Sequence, residues 1–147
     1  NTRLKVRAGL PRSYFLGIES MGLAVPGVRP RLKALCVAPR GAEEGSELNV
    51  AGQEFVLTTG EKVTFRLFGT TDAAAMELGQ LVDNPERTLT EYGVAEVLFQ
   101  SDANNASSEL VPVGLVSRIS TLGTLELWMK ERDGEREWRV EFDTRGV

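Results

Sequence analysis

The sequence predicts an all-β sandwich, and three observations predict it. Apolar residues alternate with period two over short stretches, the pattern of half-buried strands. Gly, Pro, Asn and Asp recur between those stretches as turn signals. Helical periodicity is confined to one weak segment. At 147 residues the chain is long enough for a sizeable core and is expected to form a single domain, 1–147.

In order along the chain, Leu4–Val6 and Tyr14–Ile18 read as short strands separated by Gly9-Leu10-Pro11. Ser20–Pro30 reads as loop, punctuated by Gly22, Pro26, Gly27 and Pro30. Leu32–Ala38 is apolar enough for a buried strand, and the acidic stretch from Pro39 to Gly45 turns the chain. Glu54–Thr58 is expected as a strand, Thr59–Lys62 as a turn, and Val63–Phe68 as a strand with Val63, Phe65 and Leu67 on one side. Ala73–Val82 is the one candidate helix, with Asp72 as N-cap. Gly79 weakens it, and its apolar residues fit a strand at Leu78–Val82 equally well. Asn84–Thr90 reads as loop, Val94–Phe99 as a strand and Ser101–Ser108 as a polar connector. Leu110–Ile119 is a strand showing Val113, Leu115 and Ile119 on one face.

The strongest local signal is Thr124–Phe142, a hairpin closed at Asp133-Gly134, a dipeptide that tolerates the positive φ of a tight two-residue turn. Counting outward from that turn sets Leu125 against Phe142, Leu127 against Val140 and Met129 against Trp138, all on one face. The other face opposes Arg132 to Glu135, Lys130 to Glu137 and Trp128 to Arg139, with Glu126 facing Glu141 as the one mismatch. A one-residue slip breaks the apolar and the charge pairing together, so the register is well specified.

The net charge of −4 conceals an asymmetry: eight bases and one acid up to Arg40, thirteen acids and three bases from Gly41 to Glu109, then near balance. The basic residues are scattered among Pro, Gly and aliphatic residues with few aromatics, so nucleic acid is not an expected partner. No apolar run reaches membrane-span length, no leader is evident, and no membrane partner is expected. Cys36 stands alone in LKALCVA, which suits a buried thiol in a reducing, cytoplasmic setting. A chain opening on Asn is expected to be a processed or excised piece. Asn105-Ala106-Ser107 fits a glycosylation sequon, a pattern short enough to arise by chance and not expected to be used.

Much chemistry is missing. Without histidine there is no His-based triad, no usual proton shuttle near neutral pH and no commonest transition-metal ligand. One cysteine cannot build a Cys-rich zinc site, and Gly60-Glu61-Lys62 lacks the spacing of a phosphate loop. Glu43, Glu44 and Glu47 fall outside calcium-loop spacing and read as a solvated turn. Carboxylate-pair hydrolysis needs no histidine, yet nothing marks out a pair. The chain is not expected to be an enzyme and is expected to hold no cofactor of its own.

Four stretches carry a resemblance. Leu16–Gly22, LGIESMG, resembles the LGIETMGG signature that opens the peptide-binding β-domain of DnaK-type heat-shock chaperones, the seventy-kilodalton family. Val63–Gly69, VTFRLFG, is similar to that family's VTIHVLQG strand, one residue shorter, and Leu78–Asp83, LGQLVD, looks like its LGQFNLD. Val113–Phe142 aligns with the family's I-x-V-x-F-x-I-x-x-x-G-I-L-x-V-x-A-K-D strand and hairpin, with Gly123 at its Gly. The four keep the family's order from Leu16 to Phe142.

The resemblance implies a β-sandwich whose loops at one end hold an extended peptide in an apolar channel. It puts Ile18, Ser20 and Met21 on positions that wall or arch over the peptide, Val63 on the central pocket and Phe65 on the wall two residues on. Phe55 matches the aromatic strand residue before the second loop, and Thr59 or Gly60 the other half of the arch. Main-chain hydrogen bonds would hold the peptide and the pocket would select its side chains. Ile18, Val63 and Phe65 fit ordinary sandwich core equally well; Met21, between Ser20 and Gly22, reads as an exposed functional position. Two insertions depart from the family, LAVPGVRPRLKA over 23–34 and Asn84–Glu109 with an extra strand, and no helical lid is expected in this chain. The implied partners are extended or unfolded client polypeptides and the ATPase domain of the parent protein, where ATP would bind. The alternative is a sandwich of the same origin that docks folded partners through its insertions.

Overall fold

A computed structural model describes residues 10–18, 32–71, 77–99, 109–121 and 124–144, with backbone alone at 18 and 51–54. Among the described residues, nine strands form two antiparallel sheets. The first sheet combines β1 (Ser13–Ile18), β2 (Lys33–Ala38), β4 (Lys62–Thr70), β5 (Leu81–Asp83) and β6 (Thr90–Leu98) in the order β5-β2-β1-β4-β6. The second holds β3 (Glu47–Thr59), β7 (Glu109–Ile119), β8 (Thr124–Glu131) and β9 (Glu137–Asp143) in the order β3-β7-β8-β9. The all-β sandwich is thus what this chain forms. No helix among the described residues is long and apolar enough to cross a membrane.

Period-two alternation builds the core. Tyr14, Leu16, Leu35, Val37, Phe65 and Leu67 project from the first sheet onto Phe55, Leu57, Val113, Leu115, Leu127, Met129, Val140 and Phe142 of the second. The hairpin register is Leu125 with Phe142, Leu127 with Val140, Met129 with Trp138 and Lys130 with Glu137, as its patterning requires. Arg139 also lies over the Trp128 ring, 5.2 Å from its centroid. The closing turn differs from expectation. The last ladder hydrogen bond runs from the Glu131 N–H to the Arg136 carbonyl, 2.9 Å, and neither Asp133 nor Gly134 takes a positive φ. A four-residue loop, 132–135, relieves the strain that a two-residue turn would resolve with left-handed residues.

The first sheet has a second apolar layer on its outer face: Phe15, Ala34, Cys36 and Phe68 are buried there beneath Leu32, Val82 and Leu89. Leu89 directly follows one turn of helix, α1 (Pro85–Thr88), in a stretch expected as loop. Pro85 begins it, a position where the missing N–H costs nothing, and Asn84 enters from the left-handed region at φ 50°. The expected helix over 73–82 is corrected in its described part: Leu78-Gly79 is a turn, Gly79 has φ 87°, and Leu81–Asp83 is strand. Residues 72–76 of it lie outside the described residues, as do Leu4–Val6 and the Ser20–Pro30 and Ser101–Ser108 loops.

Candidate functional site

Strand direction decides which loops share an end. β1 runs antiparallel to β4, with Ser13 beside Thr70 and Gly17 beside Arg66, so β1 runs toward the end where β4 starts, and Ile18 stops short of Lys62. Ile18 also pairs with Lys33, where β2 begins, so the chain leaves β1 and re-enters β2 at that same end. The turn from Thr59 to Lys62 feeds β4 there, passing from one sheet to the other in two residues. Gly60 makes it with φ 86°, a conformation costly for a residue with a Cβ, and donates its N–H to the Phe99 carbonyl at 2.8 Å. The β6 exit, the β7 entry and the β8–β9 loop reach this end too, because Lys62 pairs with Leu98, Thr59 with Glu109 and Val113 with Glu131.

The expected site residues fall as follows. Val63 sits at the start of β4, half-buried, packed against the core and paired with Val97. Phe65, two residues deeper, is core at 5% exposure, edge-on to Phe99 with centroids 6.2 Å apart. Phe55 is likewise core at 5% exposure, on β3 beside Val113. Thr59 is sealed, and its hydroxyl lies 3.4 Å from both the carbonyl and the carboxylate of Glu109. Of the two arch alternatives, Gly60 is the one with accessible surface. Ile18 closes β1, with its side chain outside the described atoms; Ser20 and Met21 lie outside the described residues. Gly60, Val63 and the end of Ile18's strand therefore share one end of the sandwich, while Phe55 and Phe65 support it from within.

One assembly at this end was not legible in the sequence. Arg136 donates to both oxygens of Glu109, at 3.1 Å each, and to Glu131 at 2.8 and 3.1 Å, in the planar fork geometry that guanidinium offers carboxylates. Those bonds hold the Glu131 carboxyl below its ordinary range and push Arg136 up. The guanidinium also lies 5.1 Å from the Trp138 ring centroid, and Trp138 meets Phe99 edge-on at 6.5 Å. Phe65, Phe99, Trp138 and Arg136 thus form a continuous contact from core to rim. Of these, the Phe65 position and the Trp138 position, inward opposite Met129, carried a sequence signal.

Among the described residues, Arg136 holds the Glu109 and Glu131 carboxylates at this end, and no three His, Cys, Asp or Glu side chains converge to hold a metal. Cys36 lies elsewhere, on β2 beneath the outer layer, and burial pushes its thiol up to about 11. What the described residues provide at this end is an aromatic floor of Phe65, Phe99 and Trp138 and the half-buried aliphatic side chain of Val63. The chain matches no protein-family model and no curated protein.

Proposed function

We propose that this chain is the client-binding β-domain of a DnaK-like chaperone, holding extended apolar polypeptide segments under control of an ATPase domain of the parent protein. The observation that carries the proposal is the shared end of the sandwich. The β1 end at Ile18, within the LGIESMG resemblance, the β2 start at Lys33, the Thr59–Lys62 turn and a half-buried Val63 all belong to that end. An extended peptide laid between these elements satisfies its backbone on theirs and one side chain on Val63. Binding by this chain is expected at micromolar affinity or weaker, with fast dissociation.

Titration of a labelled, Leu-rich heptapeptide into wild type and Val63→Phe, with thermal melts of both, tests this. Saturable binding that Val63→Phe removes without unfolding the protein supports it. No saturable binding to a folded wild type overturns it, and a domain that docks folded partners through its insertions takes its place.

A further inference from the structure

The 84–109 insertion adds β6 as an edge of the first sheet: β4 flanks it on one side, and no strand flanks the other among the described residues. From Gly93 to Leu98 its pairing with β4 runs without a bulge, the only register shift lying between Leu67 and Phe68. Along that flat stretch Ala95 and Val97 turn inward against the core, while Val94, Glu96 and Leu98 face outward. Val94 is 58% and Leu98 57% exposed. Edges are ordinarily protected by being short or by outward charge. β5 is three residues long, and β9 turns Glu137, Arg139 and Glu141 outward. β6 is nine residues long, and Glu96 is the one outward charge between the exposed Val94 and Leu98. A strand edge with unpaired N–H and C=O groups defines its occupant as another strand.

Glu96 decides which strand. Pairing two copies antiparallel with the faces kept, so that Val94 meets Leu98 both ways, sets Glu96 directly against its own counterpart, and like charges opposite each other destabilise a ladder. Moving the two-fold to Ala95 sets Val94 against Glu96 instead. A second copy is therefore a poor fit. A segment with a Lys or Arg between two apolar residues at i±2 meets all three outward side chains. Lys62 lies 3.2 Å from Glu96 Oε2, in an exposed pair of little strength.

We propose that the β6 edge is a second docking surface, which takes an extended segment of pattern apolar-x-basic-x-apolar by antiparallel strand addition, with the basic residue on Glu96. This does not rest on the Val63 groove. The probes are labelled heptapeptides TVTKTLT and TVTETLT, titrated into the full chain. The lysine peptide should bind saturably and the glutamate peptide about fivefold more weakly, the span expected of a cross-strand charge pair. Glu96→Lys should reverse the order and Glu96→Gln should level it, while Val63→Phe changes neither. Absence of saturable binding, equal affinity for both peptides, or a preference that survives Glu96→Lys and Glu96→Gln overturns the proposal. A concentration-dependent dimer abolished by Val94→Thr with Leu98→Thr would assign the edge to a second copy.

Discussion

Arg136 grips Glu109 through two parallel hydrogen bonds, Nη1 to Oε1 and Nη2 to Oε2, both 3.1 Å, across 27 residues of chain. The pair ties the β8–β9 hairpin to the start of β7, and through Thr59 to the turn that enters β4. Glu131 shares the same guanidinium. The hydrogen bond from Arg136 lowers the Glu131 pKa from the ordinary 4.5. A carboxyl whose folded pKa is depressed contributes stability that is present above its unfolded value and is lost as pH falls through the lower folded one.

Arg136→Met should therefore remove part of the acid sensitivity. Urea midpoints at about pH 7 and about pH 3 should fall further in wild type than in the variant, since protonation below 4.5 costs only the protein that still holds the pair. Equal falls would mean that the cluster does not couple to folding.

The hairpin separates core from surface cleanly. Leu127 is buried between the sheets, so Leu127→Ala should cost about 2–5 kcal/mol. Lys130 and Glu137 make an exposed pair at 4.0 Å, so Lys130→Ala should cost under about 1 kcal/mol. Similar losses in chemical denaturation would contradict the buried face.

Two glycines in strands should respond in opposite directions to alanine. A Cβ at Gly69 would come within 2.9 Å of the Ser13 carbonyl oxygen and 2.8 Å of the Tyr92 ring, whereas one at Gly114 meets nothing within 4 Å. Gly69→Ala should destabilise by about 1–3 kcal/mol as overpacking. Gly114→Ala should be neutral or stabilising by up to about 1 kcal/mol, through the unfolded chain's lost freedom. Thermal melts of both variants decide it, and a stable Gly69→Ala would show that β1 and β6 yield at that contact.

Cys36 should be chemically silent while the protein is folded. It is fully buried, and desolvation raises its pKa to about 11, so little thiolate exists near neutral pH. A disulfide-exchange chromophore should label it only as the protein unfolds in urea. Stoichiometric labelling of the native protein within seconds would contradict the sealed outer layer of Phe15, Ala34 and Phe68.

The sequence made the hairpin register legible because two independent patterns, apolar and charged, agreed on it. It could not show α1, since four residues are too few for a 3.6-residue period to appear. The bulge that places Tyr92 between Gly93 and Glu91 broke the alternation of β6, so the strand was expected only from Val94 onward, where the structure begins it at Thr90. Alternation placed Val63, Phe65 and Leu67 on one face but could not say what covers that face. Phe65 is closed over by Phe99, while Val63, one step nearer the end, stays half-buried. The Glu109–Arg136 pair was beyond reach because it depends on three strands lying side by side in the order β7-β8-β9, and pairing within the hairpin alone does not reveal it.

The most direct measurement of the proposed peptide site is amide chemical-shift mapping while the Leu-rich heptapeptide is titrated into isotope-labelled protein. The shared end of the sandwich predicts saturable shifts at Ile18, Gly60, Glu61 and Val63, with Val94 unmoved. No saturable shifts, or shifts confined to the β6 edge or to the opposite end around Arg40–Gly45, would contradict it.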